Sequence, residues 1–326
     1  MFGCKLKNCN TLAALLLAVT TIFITACPAG KRSITNKDSV TGDLPDSARL
    51  IHHLAYLTTD VMAGREAATP GNLLAQQYIV QQFDSLQLKK TGDSYLQPFP
   101  LRNDTTRQGN NVVGIIRGTR YPDRYIVLTA HYDHLGIRNG KIYYGADDNA
   151  SGTAALLAMA RYFKQHPLEH SLLLIAFDAE EKGLVGSRYF ADNSPIPLSQ
   201  MVMNINMDMI SRNDRNEIFA CGTHHYPFLK KYVDTVQQLT PVTIRFGHDD
   251  SSLGSAQDWT TQSDHYAFHQ KKIPFLYFGV EDHPDYHKPS DTFDKINKSF
   301  YYQVCAMITR FVLIIDRNGD RLHLSQ

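Results

Sequence analysis

Five short apolar runs, NVVGIIRG, YIVLTAHYD, SLLLIAFDAEE, MVMNINMDMI and PFLYFGV, constrain this chain more than any other feature. They are strand-length, rich in Val, Ile, Leu and Phe, and do not alternate apolar with polar residues. A strand covered on one face alternates; a strand covered on both faces does not. Segments with helical spacing separate or follow the runs: TAALLAMARYFKQ, GLVGSRYFAD, PFLKKYVDTVQQ, DHYAFHQK and FYYQVCAMITRFVLII. Two more helical patterns precede them, SARLIHHLAYLT and LLAQQYIVQQFDSL, the second opened by Pro70 and Gly71 as a helix start should be. The alternation predicts an α/β fold, with a mixed, mostly parallel central sheet and helices on both faces. His52 and His53 fall in the first helical pattern and read as surface or packing residues.

Residues 1–27 are different material. Lys5 and Lys7 precede the apolar run TLAALLLAVTTIFITA, which ends at Cys27. A basic start, a short apolar core and a small residue before the cut describe a secretory signal. The run is shorter than the ~20 residues that span a bilayer comfortably. Ile24-Thr25-Ala26-Cys27 resembles a bacterial lipobox, with Ile24 where Leu is usual. That resemblance implies a lipidated Cys27, a membrane partner through that lipid, and a bacterial cell-envelope location, periplasmic or surface-exposed. Residues 28–46 are polar and read as a flexible tether, and 47–326 as one domain. The formal net charge of +1 argues against nucleic acid as a partner, because neutralising phosphates needs a basic surface. Cys221 and Cys305 remain in the domain with no C-x-x-C motif, and spacing leaves their pairing open.

The remaining signal lies in the polar residues at the ends of the runs. GADDNASG (145–152) places Asp147 and Asp148 in a glycine-bounded loop at a helix start. One carboxylate there can cap the helix; the second has no such duty. His131 and Asp133 follow YIVLTA, Glu180 and Glu181 follow SLLLIAFDA, Asp208 follows MVMNINM, and His287 follows PFLYFGV. All sit past the carboxyl ends of predicted strands, the rim where open α/β sheets bind ligands. Carboxylates gathered at one rim repel, and a structural network would balance them with Arg or Lys. Only Lys182 and Lys288 lie within these segments, and both are expected to point outwards. Imidazoles and carboxylates converging from separate segments match the donors of a divalent metal site.

The donor set accommodates two zinc ions per chain. Asp148 bridges them, His131 and Asp208 complete one position, and Glu181 and His287 complete the other, each with three protein ligands and an open place. Paired metals of this kind stabilise developing oxyanion charge. Glu180, free of metal, is left to carry protons as general acid and base. Asp133 is placed to orient the His131 ring. Tyr286 can donate to the oxygen of a tetrahedral intermediate, although ordinary packing would equally explain it. His134, His224, His225, His248, His265, His269 and His283 receive no role, and most are expected to be structural or exposed. His265, beside Asp264, stands out because its loop is expected to wall the pocket.

With these residues in place, the chain resembles the secreted di-zinc aminopeptidases. The segments that carry the resemblance are AHYDHLG, GADDNASG, FDAEEKGLVGS, NMDMI and DYHKPSDT, with DVMAGREAATPGN and SDH in support. It covers about residues 47–300. It implies a zinc aminopeptidase-like fold, peptide substrates cleaved at their N-termini, and the ligand and base roles given above, with Asp147 shaping the loop. Glutaminyl cyclases share that fold with one zinc, and the Glu180–Glu181 pair favours hydrolysis. A non-catalytic envelope binding protein would be expected to have lost ligands.

Overall fold

The computed structural model describes residues 44–102, 104–254 and 256–322. The expected signal peptide and the tether as far as residue 43 lie outside the described residues. Asp46 opens the first helix, α1 (Ser47–Leu57), by accepting from the N–H groups of Ala48 and Arg49. The Thr69 side chain caps α2 (Pro70–Ser85) in the same way, with Pro70 in the first turn where no N–H is missed.

Strands β1 (Leu96–Leu101), β2 (Asp104–Ile116) and β3 (Tyr121–His131) come next, followed by the small hairpin β4 (Gly136–Arg138) and β5 (Lys141–Tyr143). Helix α3 (Gly152–Gln165) leads to β6 (His170–Phe177), and α4 (Val185–Asp192) to β7 (Met201–Met207). Then come β8 (Glu217–Cys221), α5 (Lys230–Gln237), β9 (Thr243–Arg245), α6 (His265–Gln270), β10 (Phe275–Gly279) and α7 (Lys298–Leu322).

The eight-stranded sheet runs β1-β2-β6-β3-β7-β10-β8-β9. Its centre, β6-β3-β7-β10, is parallel throughout. On its flanks β2 pairs antiparallel with β6, and β8 with β10. Every residue of β6, β7 and β10 is buried, which is why their sequences do not alternate. Within β3, Ile126, Leu128 and Ala130 share a core with Leu54, Phe83, Phe163 and Phe311 from α1, α2, α3 and α7. Val127 of β3 turns the other way with Leu173, Ile175 and Phe177, and these meet Phe190 of α4 and Phe268 of α6. Helices therefore cover both faces, as the apolar runs predict.

Strands β1, β8 and β9 escaped the sequence pattern. β1 carries Pro98 and Pro100 and lies at a sheet edge, where the missing N–H groups cost nothing. β8 and β9 are too short to declare themselves. α7 is long and apolar enough to cross a membrane, but 72% of that stretch is buried inside the domain, so it serves as a core helix.

The order of the parallel strands positions the site. From β3 the chain passes through α3 to β6 on one side, then through α4 to β7 on the other side of β3. That reversal opens a crevice beyond the carboxyl ends of β3 and β7, where open α/β sheets bind ligands.

Candidate metal centre

The carboxyl ends of the central strands converge on a cleft of about 330 Å³, lined by His131, Asp148, Glu180, Glu181, Asp208 and His287 among others. Two groups of donor atoms share Asp148. In the first, His131 Nε2 lies 3.3 Å from Asp208 Oδ1 and 3.5 Å from Asp148 Oδ1. The second joins His134, Asp148 and Glu181, and beside it His287 Nε2 lies 3.0 Å from Asp148 Oδ2 and 3.5 Å from Glu181 Oε2. His134, which sequence reasoning left without a role, enters this second group: its Nδ1 is 2.8 Å from Glu181 Oε1 and 3.6 Å from Asp148 Oδ2.

These separations fit a cation. Donors at 2.0–2.1 Å from a tetrahedral zinc stand about 3.3 Å from one another. Buried Asp148 Oδ2, Glu181 Oε1 and both nitrogens of His134 also lack any hydrogen-bond partner. Buried polar atoms are rarely left so.

The loop that opens with Gly145 explains why two adjacent acids do different work. Gly145 is left-handed (φ 56°), and a Cβ there would strike the Asp148 carbonyl and the His134 ring. Asp148 and Asn149 depart from helical geometry (φ −104°, ψ 98° and φ −129°, ψ 43°), which turns successive side chains apart. Asp148 faces the cleft. Asp147 turns inward and accepts from Ser211 N and Oγ at 2.7 and 2.8 Å, with His283 Nε2 3.2 Å away. The main-chain N–H groups of both residues donate to Asp291. Neither acid caps α3.

Other supports are equally specific. Ala179, Met209 and His287 all have positive φ, and each is a site residue or the neighbour of one. Such conformations cost on the order of 1–3 kcal/mol apiece, and packing must hold them. Below Asp208 a buried chain of donors runs in one direction. Asn204 donates to Thr129 (2.9 Å), Thr129 to Asn206 (2.6 Å), Asn206 to Ser263 (2.9 Å) and Ser263 to Asp208 Oδ2 (2.7 Å). Each hydroxyl spends its one proton towards the carboxylate, so every dipole in the chain favours ionised Asp208.

Charge in the cleft follows from these contacts. Burial opposes a charged His131, yet Asp208, Glu180 and Asp133 outweigh it and hold the imidazole well above its ordinary pKa. Burial pushes Asp148 up, and Glu181 adds to the effect. Glu180 is pushed well above the carboxylate range, chiefly by burial, with His131 opposing and Glu181, Asp264 and Asp208 adding. Glu181 goes down despite its burial, because His134 and His287 face it. The two adjacent glutamates are thus driven apart.

Asp133 differs in detail from expectation. The His131 Nδ1 contact of hydrogen-bonding quality goes to the Asp133 main-chain carbonyl (3.2 Å), with the carboxylate 3.7 Å away. That carboxylate instead accepts from the N–H groups of Glu180 and Glu181 (3.0 and 3.3 Å) and so holds the glutamate turn. Tyr286 lines the cleft with its ring stacked on His287, 3.9 Å between centroids. His265 is buried, bonded to the Trp259 carbonyl (3.0 Å), and anchors the loop whose Trp259 forms a cleft wall. Cys221 and Cys305 are both free and buried.

The counter-charge sought among the motif segments lies outside them. Arg65, in DVMAGREAATPGN, is fully buried and donates to the carbonyls of Tyr132, Leu57, Tyr144 and Gly145 at 2.7–2.9 Å. It ties the end of β3, the end of α1 and the entry to the Asp148 loop together.

Comparison with known proteins places this geometry. The model of peptidase family M28 matches residues 111–312. Aminopeptidase YwaD of Bacillus subtilis is 30% identical over 229 residues, covering 65% of this chain and 46% of that protein. A probable zinc metalloprotease of Pyrenophora tritici-repentis is 32% identical over 179 residues, covering 52% of this chain and 37% of that protein. The chain spans less than half the length of these relatives. Among solved structures, a zinc aminopeptidase from Bacillus subtilis superposes with a TM-score of 0.67 at 18% identity, over 83% of this chain and 96% of that one. Porphyromonas gingivalis glutaminyl cyclase gives 0.69 at 18% identity, over 83% and 99%. Both likenesses establish a shared fold.

Proposed function

The chain belongs to peptidase family M28, a family with zinc metalloprotease members, and from that premise we propose that it is a di-zinc aminopeptidase removing N-terminal residues from peptides. The observation that carries the reading is the pair of donor groups sharing Asp148, with Glu180 beside them in the same cleft.

His131, Asp148 and Asp208 would hold one ion, and Asp148, Glu181 and His287 the other. Bound there, zinc would polarise the scissile carbonyl and acidify the attacking water. Glu180, set apart from the donor groups, takes the proton from that water and returns it to the leaving amine. Tyr286 donates a hydrogen bond to the developing oxyanion, and stacking on His287 fixes the direction of its ring. Asp133 steadies Glu180 and Glu181 through their N–H groups. A carboxylate raised by burial is suited to this exchange, because its pKa moves towards the working pH.

Two substrate sets test the reading. Aminoacyl-nitroanilides with a free amine should be hydrolysed and their N-acetylated counterparts should not. A chelator should abolish the activity and zinc should restore it. Equal cleavage of blocked substrates overturns aminopeptidase action; cyclisation of N-terminal Gln without hydrolysis points to a cyclase.

We also propose, from the sequence alone, that Cys27 carries a lipid and that the mature enzyme is held at a bacterial envelope membrane by residues 28–46.

A further inference from the structure

We propose that His134 is a direct ligand of the second metal position, which closes that position with four protein donors and leaves the His131–Asp148–Asp208 position as the open one. The inference rests on the zinc metallopeptidase reading above and adds a residue to it.

Three observations carry it. His134 is fully buried, and neither ring nitrogen has a hydrogen-bond partner. Its Nε2 has no partner, and Nδ1 meets only the carboxylates of the donor group, an arrangement that suits a shared cation. Its Nδ1 nevertheless stands 2.8 Å from Glu181 Oε1 and 3.6 Å from Asp148 Oδ2, on either side of the edge of a zinc tetrahedron, about 3.3 Å. Finally, the ring is held in this place by main chain. The His134 N–H donates to the Arg65 carbonyl (3.3 Å), and left-handed Gly145 leaves room for the ring where any Cβ would collide with it. The His134 and His287 rings, 5.9 Å apart and tilted by 59°, reach the same two carboxylates.

The consequence is an unequal pair of ions. Four donors (His134, Asp148, Glu181 and His287) make the closed arrangement typical of structural zinc, whereas three leave room for a reactant. Glu180 lines the same cleft as both donor groups, next to Glu181 and under the electrical influence of His131, Asp264 and Asp208. Substrate is therefore activated at His131 and Asp208, while the His134 ion anchors the Asp148 loop.

The competing account is that His134 only donates a hydrogen bond to Glu181 and positions it. A crystal structure of the full chain carrying one equivalent of zinc separates the two. The expected result is a single ion with His134 Nδ1 at about 2.0–2.1 Å. In chelator competition with zinc, His134→Ala should weaken the first equivalent by at least about tenfold and leave the second largely unaffected. His134→Gln, with far-UV circular dichroism on both variants, guards against a folding defect. A first ion bound with His134 beyond hydrogen-bonding distance, or unchanged first affinity in both folded variants, overturns the proposal while wild-type zinc-dependent hydrolysis keeps the peptidase reading intact. A wild type that takes up no zinc overturns both.

Discussion

Arg65→Met tests whether the buried guanidinium is a structural keystone. Methionine matches the length of the side chain and deletes its donors. Four carbonyls lose a partner, but Gly145 O keeps the N–H of Ala150 at 3.1 Å, which leaves three exposed to the loss. An unsatisfied buried carbonyl costs about 1–3 kcal/mol, so the gross penalty is about 3–9 kcal/mol. Against this stands the relief of no longer burying a charge. Burial lowers the Arg65 pKa from 12.5 to about 10 even though Asp148, Asp133, Asp291 and Glu181 pull it back up. That drop corresponds to about 3 kcal/mol of uncompensated cost. The difference is about 0–6 kcal/mol, and its midpoint, a net destabilisation of about 3 kcal/mol, is the expected value, a large share of a typical domain's stability. Guanidinium unfolding of the metal-free protein, followed by circular dichroism, measures it. Arg65→Lys should lie between, since one ammonium cannot reach all four carbonyls. A loss below about 1 kcal/mol in Arg65→Met would mean that water enters and satisfies them, and the keystone argument fails.

Three further outcomes are expected. Glu180→Gln should lower kcat by about 10²-fold or more with KM and zinc content nearly unchanged, whereas Glu181→Gln should lose zinc affinity as well; zinc loss in the first variant alone would reverse the two roles. Burial, with help from His52 and Arg49, depresses His53 to about 4, so its contribution is complete above pH 6.5 and lost as pH falls towards 4; equilibrium unfolding at pH 8 and pH 5 should show about 2 kcal/mol more acid loss in wild type than in His53→Phe. Cys27→Ser should abolish fatty-acid labelling and release the protein from the membrane fraction, and labelling that persists would remove the lipid anchor.

The strands that build the centre were legible because burial on both faces suppresses alternation, and each delivers a polar residue where its apolar run stops. His131, Glu181, Asp208 and His287 could be read that way, since an acid or imidazole past the end of a buried strand has no reason to be there unless something engages it, and Asp148 stood out as the second of two acids in a loop where one would cap the helix. His134 could not. It lies in the same HYDH segment as His131, and no periodicity says which of two nearby imidazoles turns inward; the left-handed Gly145 that makes room for its ring is distant in pattern if not in space. Arg65 was hidden for a related reason. Its partners are main-chain carbonyls, which leave no residue-type signature, and they belong to three separate segments. Asp133 illustrates a finer limit: its importance was visible, but which of its oxygens meets His131 depended on a turn geometry that spacing alone does not encode.

The arrangement of acids supports a further step. Arg65 is a buried positive charge acting on a cleft that gathers Asp148, Glu180, Glu181 and Asp208, with Asp291 behind the loop. Burial and its acidic neighbours raise Asp291 to about 6, and burial raises Asp148 and Glu180 as well, so the gathered acids favour a cation between them. Zinc bound at this site would release protons, because carboxylate and imidazole donors bind metal deprotonated, and its affinity would rise with pH. The depressed pKa values of Glu181 and Asp208, set by His134, His287, His131 and the Ser263 hydroxyl, work the other way and keep one carboxylate in each donor group ready. Each donor group thus combines a carboxylate of its own with the shared Asp148.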